Sequence, residues 1–115
     1  MLLIWLGLAV CGYGWMGWME PSAPVCPPGL REVPGVRLMY RYECGKCHRV
    51  DLPGMNGKMG PPLAGIGKRS NRAYLEESLR DPGRRVVRGY INGMPGFGQL
   101  SDPEMKELVD YLTTL

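Results

Sequence analysis

The sequence is poor in several residue types that would indicate a particular function. Its 115 residues include one histidine, one phenylalanine and four cysteines, and the formal net charge is +3. A charge this small, without a dense basic stripe, is unlike that of nucleic-acid-binding proteins, so no nucleic-acid partner is expected. Gly and Pro are abundant instead, with 17 and 11 residues. A small domain this rich in loops needs a disulfide, a metal or a cofactor to stabilise it.

The first nineteen residues, "MLLIWLGLAVCGYGWMGWM", carry no charged side chain. They are long enough to cross a bilayer, and Trp15 and Trp18 stand at the downstream end, where interfacial aromatics occur. The basic start and the cleavage site of a secretory signal are missing. Residues 1–19 are therefore predicted to be a transmembrane anchor. A cleaved signal peptide and a lipidated Cys11 are the alternatives, and all three place the remaining chain on the extracytoplasmic, for instance periplasmic, side.

Residues 20–35, "EPSAPVCPPGLREVPG", are rich in proline and have no sustained period. Proline removes backbone donors and favours extended chain. We expect a semi-stiff tether between the anchor and a domain formed by residues 36–115. Cys26 lies within this tether and is expected to be unpaired.

Residues 36–115 contain three helical patterns separated by long loops of Gly and Pro. "VRLMYRYECGKCHRV" has apolar residues at helical spacing, which places the cysteine pair at the end of an amphipathic helix. "SNRAYLEESLRDP" predicts a second helix, with Ser70 as N-cap and Pro82 as its stop. "SDPEMKELVDYLTTL" predicts a third, which begins with a capping box of Ser101 and Glu104 and has an apolar face of Met105, Leu108, Val109 and Leu112. Three short helices cannot close a core, so a large apolar group must fill the middle.

The segment "CGKCH", residues 44–48, holds two cysteines and the single histidine. Zinc needs four ligands, and the other cysteines lie in the anchor and the tether. A redox dithiol of the thioredoxin type expects a βαβ pattern, and no such strands are visible. Covalent attachment of haem c matches C-x-x-C-H, because two thioether bonds would hold the ring and His48 would face the iron.

The second axial ligand must be a methionine, since no other histidine exists. Of the eight methionines, most belong to the anchor or to helix faces. Met94, in "NGMPGFGQL", lies in a loop long enough to wrap a porphyrin, and Pro95 stiffens its presentation. Met59 is the alternative. A thioether ligand raises the potential of haem iron and favours electron transfer over oxygen chemistry.

Four stretches, in this order, resemble the small class I c-type cytochromes, which are mono-haem electron carriers. "CGKCH" resembles the haem attachment site, and "GPPLAGIGKR" resembles the loop beneath the proximal histidine. "GMPGFGQLS" is similar to the methionine loop, and "LVDYLTTL" to the C-terminal helix. The likeness covers about Val36 to Leu115. It implies an all-α fold, a small cytochrome c fold of three to four short helices around a covalently bound haem, preceded by one transmembrane helix.

By this resemblance, Cys44 and Cys47 would form the thioethers, and His48 and Met94 would be the proximal and distal ligands of the iron. Pro61 would offer its carbonyl to the other ring nitrogen of His48, which fixes the imidazole orientation and raises its basicity. The cofactor would be one covalently attached haem c.

Three further positions follow from the same resemblance. Arg69 resembles a propionate-binding residue, and Tyr40 matches an aromatic that crosses the C-terminal helix near Tyr111. One position departs from the pattern, because the family often has a glycine eight residues before the first cysteine. Here Val36 occupies that position and Gly35 lies one residue away, so the contact between the two helices is expected to be wider or shifted.

The sequence thus predicts a membrane-anchored electron carrier, not an enzyme, in a respiratory or photosynthetic chain, with redox proteins at the membrane as partners. The alternative is a cytochrome c subunit fixed in a larger oxidoreductase complex. A haem sensor is a third class, which would require Met94 to be displaceable. The methionine loop is preceded by four arginines: Arg80, Arg84, Arg85 and Arg88. They form either a docking face for an acidic partner or a solvated loop in which one arginine binds a haem propionate.

Overall fold

A computed structural model describes residues 26–115 of the chain, so the anchor predicted at residues 1–19 and the first part of the tether lie outside the described residues. The described chain forms four α-helices: α1 (Val36–Arg41), α2 (Ile66–Arg69), α3 (Arg72–Arg80) and α4 (Asp102–Thr113). Two 3-10 turns, Pro28–Leu30 and Cys44–Lys46, precede and follow α1. Between residues 26 and 115, no helix combines the length and apolar character needed to cross a membrane.

Helix α4 organises the fold because it packs against α1, α2 and α3. Its predicted capping box is confirmed: the Glu104 amide donates to Ser101 Oγ at 3.3 Å, and the Ser101 amide donates to the Glu104 carboxylate at 3.1 Å. The predicted apolar face is also confirmed, since all four of its residues are buried: Met105, Leu108, Val109 and Leu112. Helix α4 therefore forms one wall of the hydrophobic core.

Helix α3 begins one residue later than the sequence predicts. Asn71, not Ser70, is the N-cap, and its side-chain oxygen accepts from the Tyr74 amide at 2.9 Å. The prediction for Ser70 was wrong because its amide already bonds to the Ile66 carbonyl and ends α2. Helix α3 ends at Arg80, two residues before Pro82, as a proline stop requires.

The cysteine pair does not lie on a continuation of α1, as the helical spacing predicted. Helix α1 ends at Arg41, and Glu43 then adopts a left-handed backbone with φ 56°. This turn redirects the chain, so Cys44 and Cys47 stand on a separate 3-10 turn. In α1 itself, Val36, Met39 and Tyr40 are buried at the predicted spacing, and Leu38, which lies outside that pattern, is buried as well.

The contact between α1 and α4 is made by Gly35, one residue before the usual glycine position. Its φ is +86°, and a side chain there would meet Tyr111 and would lie 3.0 Å from the Glu107 carbonyl. The expected shift of the helix contact is therefore present, by one residue. Tyr40 is buried beside this crossing and donates to the Pro53 carbonyl at 2.7 Å.

Residues 26–35, the described part of the predicted tether, run as successive turns over the core. Leu30 donates its amide to the Pro27 carbonyl, and Val33 donates to the Leu30 carbonyl. The side chains of Cys26 and Leu30 are partly buried against the core. Within residues 26–115, Cys26 forms no disulfide.

Candidate haem-binding site

The proximal segment (residues 44–63) places the C-x-x-C-H motif on one wall of an apolar cavity. The amides of Cys47 and His48 both donate to the Cys44 carbonyl, at 3.3 and 2.9 Å, and close a tight turn. This turn brings Cys44, Cys47 and His48 to the same cavity wall. The arrangement suits attachment of one planar group through two sulfur atoms, with an imidazole beside it.

The His48 ring is oriented by backbone on its far side. Its Nδ1 lies 2.7 Å from the Pro61 carbonyl oxygen. A carbonyl can only accept, so Nδ1 carries the proton and Nε2 keeps its lone pair for a metal. This is the contact that the cytochrome resemblance implied for Pro61.

Gly60 packs directly against the same imidazole. A Cβ at this position would lie 2.6 Å from Cε1 and 2.8 Å from Nδ1 of His48, which is closer than atoms tolerate. The Gly60 amide also donates to the Cys47 carbonyl at 2.7 Å. The sequence analysis did not identify Gly60, although a glycine before "PP" in the loop beneath the histidine could have indicated a close approach.

The cavity has a volume of about 320 Å³ and is floored by the core faces of three helices. Each of these helices contributes apolar side chains to it: Met39 from α1, Leu75 and Leu79 from α3, and Leu108 and Leu112 from α4. This is the space that the short helices cannot fill by themselves. An apolar macrocycle therefore fits the lining, and its iron would face His48 Nε2.

Met94 lies in the distal segment (residues 82–100), which forms another part of the cavity wall. Its side chain is half-buried and packs against the core. Phe97 holds this segment in place, because its amide donates to the Leu79 carbonyl at 2.7 Å and its ring meets Tyr42 edge-on at 5.6 Å. The structure thus brings Met94 to the cavity from outside the proximal segment.

The other methionines are placed differently. Met59 also lines the cavity but is 60% exposed and adjoins Gly60, beside the His48 ring. Met39, Met55 and Met105 are each at most 2% exposed and serve the core.

Arg69 does not line this cavity. Its guanidinium donates to the Pro62 carbonyl at 2.8 Å and to the Ala64 carbonyl. It lines a side cavity of about 520 Å³, together with Lys68. The propionate role implied for Arg69 stays a prediction, and its backbone contacts brace the loop that carries Pro61.

Three of the four arginines before the methionine loop are paired with acids. Arg80 meets Glu76 at 3.2 Å, and Arg85 and Arg84 meet Glu77 at 3.1 and 3.8 Å. Arg85 also lines both cavities, a position that the sequence did not single out from the arginine run.

The two cysteines of the motif are half-buried. Burial, with Cys47 nearby adding to its effect, raises the pKa of the Cys44 thiol to about 11. A free thiol at Cys44 is therefore protonated at neutral pH and is a weak nucleophile. A thioether sulfur carries no proton, so the ionisation of Cys44 would no longer occur once a cofactor is attached.

A covalent attachment motif beside an apolar cavity, enclosed by short helices, is the arrangement of a small c-type cytochrome. A family model described as "Cytochrome C oxidase, cbb3-type, subunit III" matches residues 33–112. The chain belongs to this family, its domain is a class I c-type cytochrome, and its cofactor is covalently bound haem c. No curated protein and no solved structure matches the chain.

Proposed function

We propose that the chain carries single electrons on one haem c, attached through Cys44 and Cys47, with His48 and Met94 as the axial ligands of the iron. The observation that carries this proposal is the shared cavity, which is lined by all four residues. His48 and Met94 reach this cavity from two separate segments of the chain, and both would be available to hold the iron.

Haem c supplies the one-electron couple of its iron, and the protein residues set how easily that couple is reduced. The Pro61 carbonyl keeps the Nδ1 proton of His48 in place, which orients Nε2 and increases its basicity. The Met94 thioether, a weak donor, would favour the reduced iron and raise its potential. Buried leucines of α3 and α4 keep water from the cavity floor.

The electron would enter or leave at the exposed mouth of the cavity. Four apolar side chains that line the cavity are unusually exposed, with Ile91 at 71% and Met59 at 60% of their surface. Val86 and Val87, at 42% and 43%, complete this apolar rim. Electron transfer requires a partner close to the haem edge, so we propose that redox partners dock at this mouth.

We further propose that the domain works as a non-catalytic redox subunit of a larger membrane oxidoreductase. Membership of the cbb3-type oxidase subunit family supports a fixed place in such a complex. The uncharged residues 1–19 would anchor the chain, and the residues after them, up to the turns of residues 26–35 that pack on the core, would hold the haem domain near its partner on the extracytoplasmic side. A tether raises the effective concentration of the two partners without any new contact.

The experiment is purification of the full-length chain from membranes in mild detergent, followed by a redox titration. We expect other oxidoreductase subunits to co-purify in fixed ratio and the haem band to follow a one-electron curve. Purification of the chain alone would favour the anchored free carrier. A chain without haem c would contradict the proposal as a whole.

A further inference from the structure

The haem cavity adjoins the side cavity, and the two share part of their lining. Five residues line both cavities: Pro61, Ile66, Tyr74, Arg85 and Val87. Among the residues that the structure describes, Arg85 is the one charged side chain common to the two linings. It therefore stands at their junction.

The other charged groups around the two cavities already have partners or lie elsewhere. In the haem cavity, Glu43 and Lys46 pair with each other at 2.9 Å. In the side cavity, Arg69 is committed to two backbone carbonyls, and Lys68 is exposed on α2. Neither lining includes an aspartate.

Arg85 is held only by an exchangeable ion pair. Its Nε lies 3.1 Å from the Glu77 carboxylate, but the arginine side chain is 63% exposed. Exposed pairs contribute little to stability because water screens them. Arg84 lies 3.8 Å from the same carboxylate oxygen, so Glu77 keeps a cationic neighbour when Arg85 moves away.

We propose that Arg85 is a positioning residue for the haem, which exchanges Glu77 for a haem propionate at the junction of the two cavities. The proposal rests on the haem lying in the cavity described above. A propionate is a carboxylate, and a planar guanidinium binds carboxylates through two parallel hydrogen bonds. Arg84 then neutralises Glu77, so the exchange leaves no carboxylate unpaired.

Two effects on the haem follow from the charge. A cation near the ring disfavours the additional positive charge of ferric iron and so raises the reduction potential. The same cation keeps the propionate ionised to lower pH. The potential of the wild-type protein is therefore expected to change little across neutral pH.

The experiment compares Arg85→Gln with Arg84→Gln in the haem-loaded full-length chain. Both variants lose one positive charge beside Glu77, but Arg84 lines neither cavity, which makes it a matched control. The reduction potential is measured at several pH values across the neutral range. Arg85→Lys, which keeps the charge but not the planar fork, is the conservative variant.

We expect Arg85→Gln to lower the potential and to make it fall as pH rises, because an unpaired propionate then titrates nearer to neutral pH. Arg85→Lys should recover most of the potential, and Arg84→Gln should lower it by less than Arg85→Gln does, because Glu77 then competes with the propionate for Arg85. Equal effects of Arg85→Gln and Arg84→Gln on the potential and its pH dependence would overturn the proposal. Intact c-type bands in all variants separate that outcome from a failure of haem binding itself.

Discussion

The proximal and distal segments line the same cavity but are held in different ways. In the proximal segment, backbone amides of Gly57, Gly60 and Leu63 donate to carbonyls ten or more residues earlier in the chain, at 2.9, 2.7 and 3.0 Å. In the distal segment, backbone bonds join residues at most three apart, except the bond from the Phe97 amide to the Leu79 carbonyl. Only Phe97 and Leu100 are buried there.

This difference indicates that the two proposed ligands of the iron are not held equally firmly. His48 is held by its own hydrogen bond and by a packed glycine, and the proposed thioether links of the neighbouring cysteines would restrain it further. Met94 depends on a largely exposed loop with one long-range backbone anchor. Segments with few buried contacts open locally at low free-energy cost, so Met94 is expected to be the more easily displaced ligand.

The largest effect is expected from breaking the proximal segment at its covalent links. Replacement of both Cys44 and Cys47 by alanine should abolish covalent haem, because no thioether can form. The measurement is haem that stays with the polypeptide on a denaturing gel.

Cys26→Ala is the matched control for this experiment, since Cys26 lies away from the cavity lining. It should keep its haem. Covalent haem in the double variant, or its loss in Cys26→Ala, would contradict the assignment of the attachment site.

The next largest effect is expected in the distal segment. Met94→Ala should retain covalent haem but lose the ferric sulfur-to-iron band in the near red, and its reduction potential should fall because a stabiliser of ferrous iron is removed. Met59→Ala removes an exposed thioether from the same cavity and should keep both properties. The reverse pattern would assign the ligand to Met59.

A glycine pair compares the packing of the two segments directly. Gly60→Ala should destabilise the holoprotein by about 1–3 kcal/mol, as overpacking does, because its Cβ would press on His48. A Cβ at Gly98 in the distal segment would meet nothing within 4 Å beyond its chain neighbours, so Gly98→Ala should change stability by less than about 0.5 kcal/mol. Denaturant unfolding measures both, and similar losses would contradict the contrast between the segments.

The smallest effect is expected where the distal segment enters α4. Ser101→Ala removes an N-cap and should cost about 1 kcal/mol at neutral pH, whereas Ser70→Ala should be near neutral because that side chain caps no helix. Chemical denaturation provides the comparison.

The same cap has a pH dependence. Hydrogen bonds from the Ser101 backbone and side chain hold the pKa of Glu104 below its usual range. A lowered folded-state pKa gives stability that is present above the unfolded pKa and is lost as pH falls through the folded pKa. The difference between Ser101→Ala and the wild type should therefore shrink on acidification. A difference that grew at low pH would contradict this role of Glu104.

The long periodic segments were predictable, and the short ones were not. The buried face and the capping box of α4 follow from spacing and from one local motif, so the sequence alone identifies them. Helix α2 spans four residues and includes Gly67, which packs against the Thr113 carbonyl. A segment this short is too brief to show a helical spacing of apolar residues, and its conformation depends on a tertiary contact.

The same limit explains the individual errors. Ser70 and Asn71 are both good caps, and the sequence does not show that Ser70 ends α2 while Asn71 begins α3. The motif "CGKCH" indicates haem attachment by itself, but the place of Arg85 at the junction of two cavities depends on how an irregular loop folds. Sequence patterns identify ligand chemistry, whereas positions in exposed loops require the structure.

The most direct test of the central claim is an optical spectrum of the full-length protein, oxidised and reduced, from cells that attach haem c. Ligation by His48 and Met94 predicts sharp c-type bands on reduction and a weak near-red band in the ferric state. Bands of the c type without the near-red band would contradict Met94 as the distal ligand. The absence of any haem spectrum would contradict the assignment of "CGKCH".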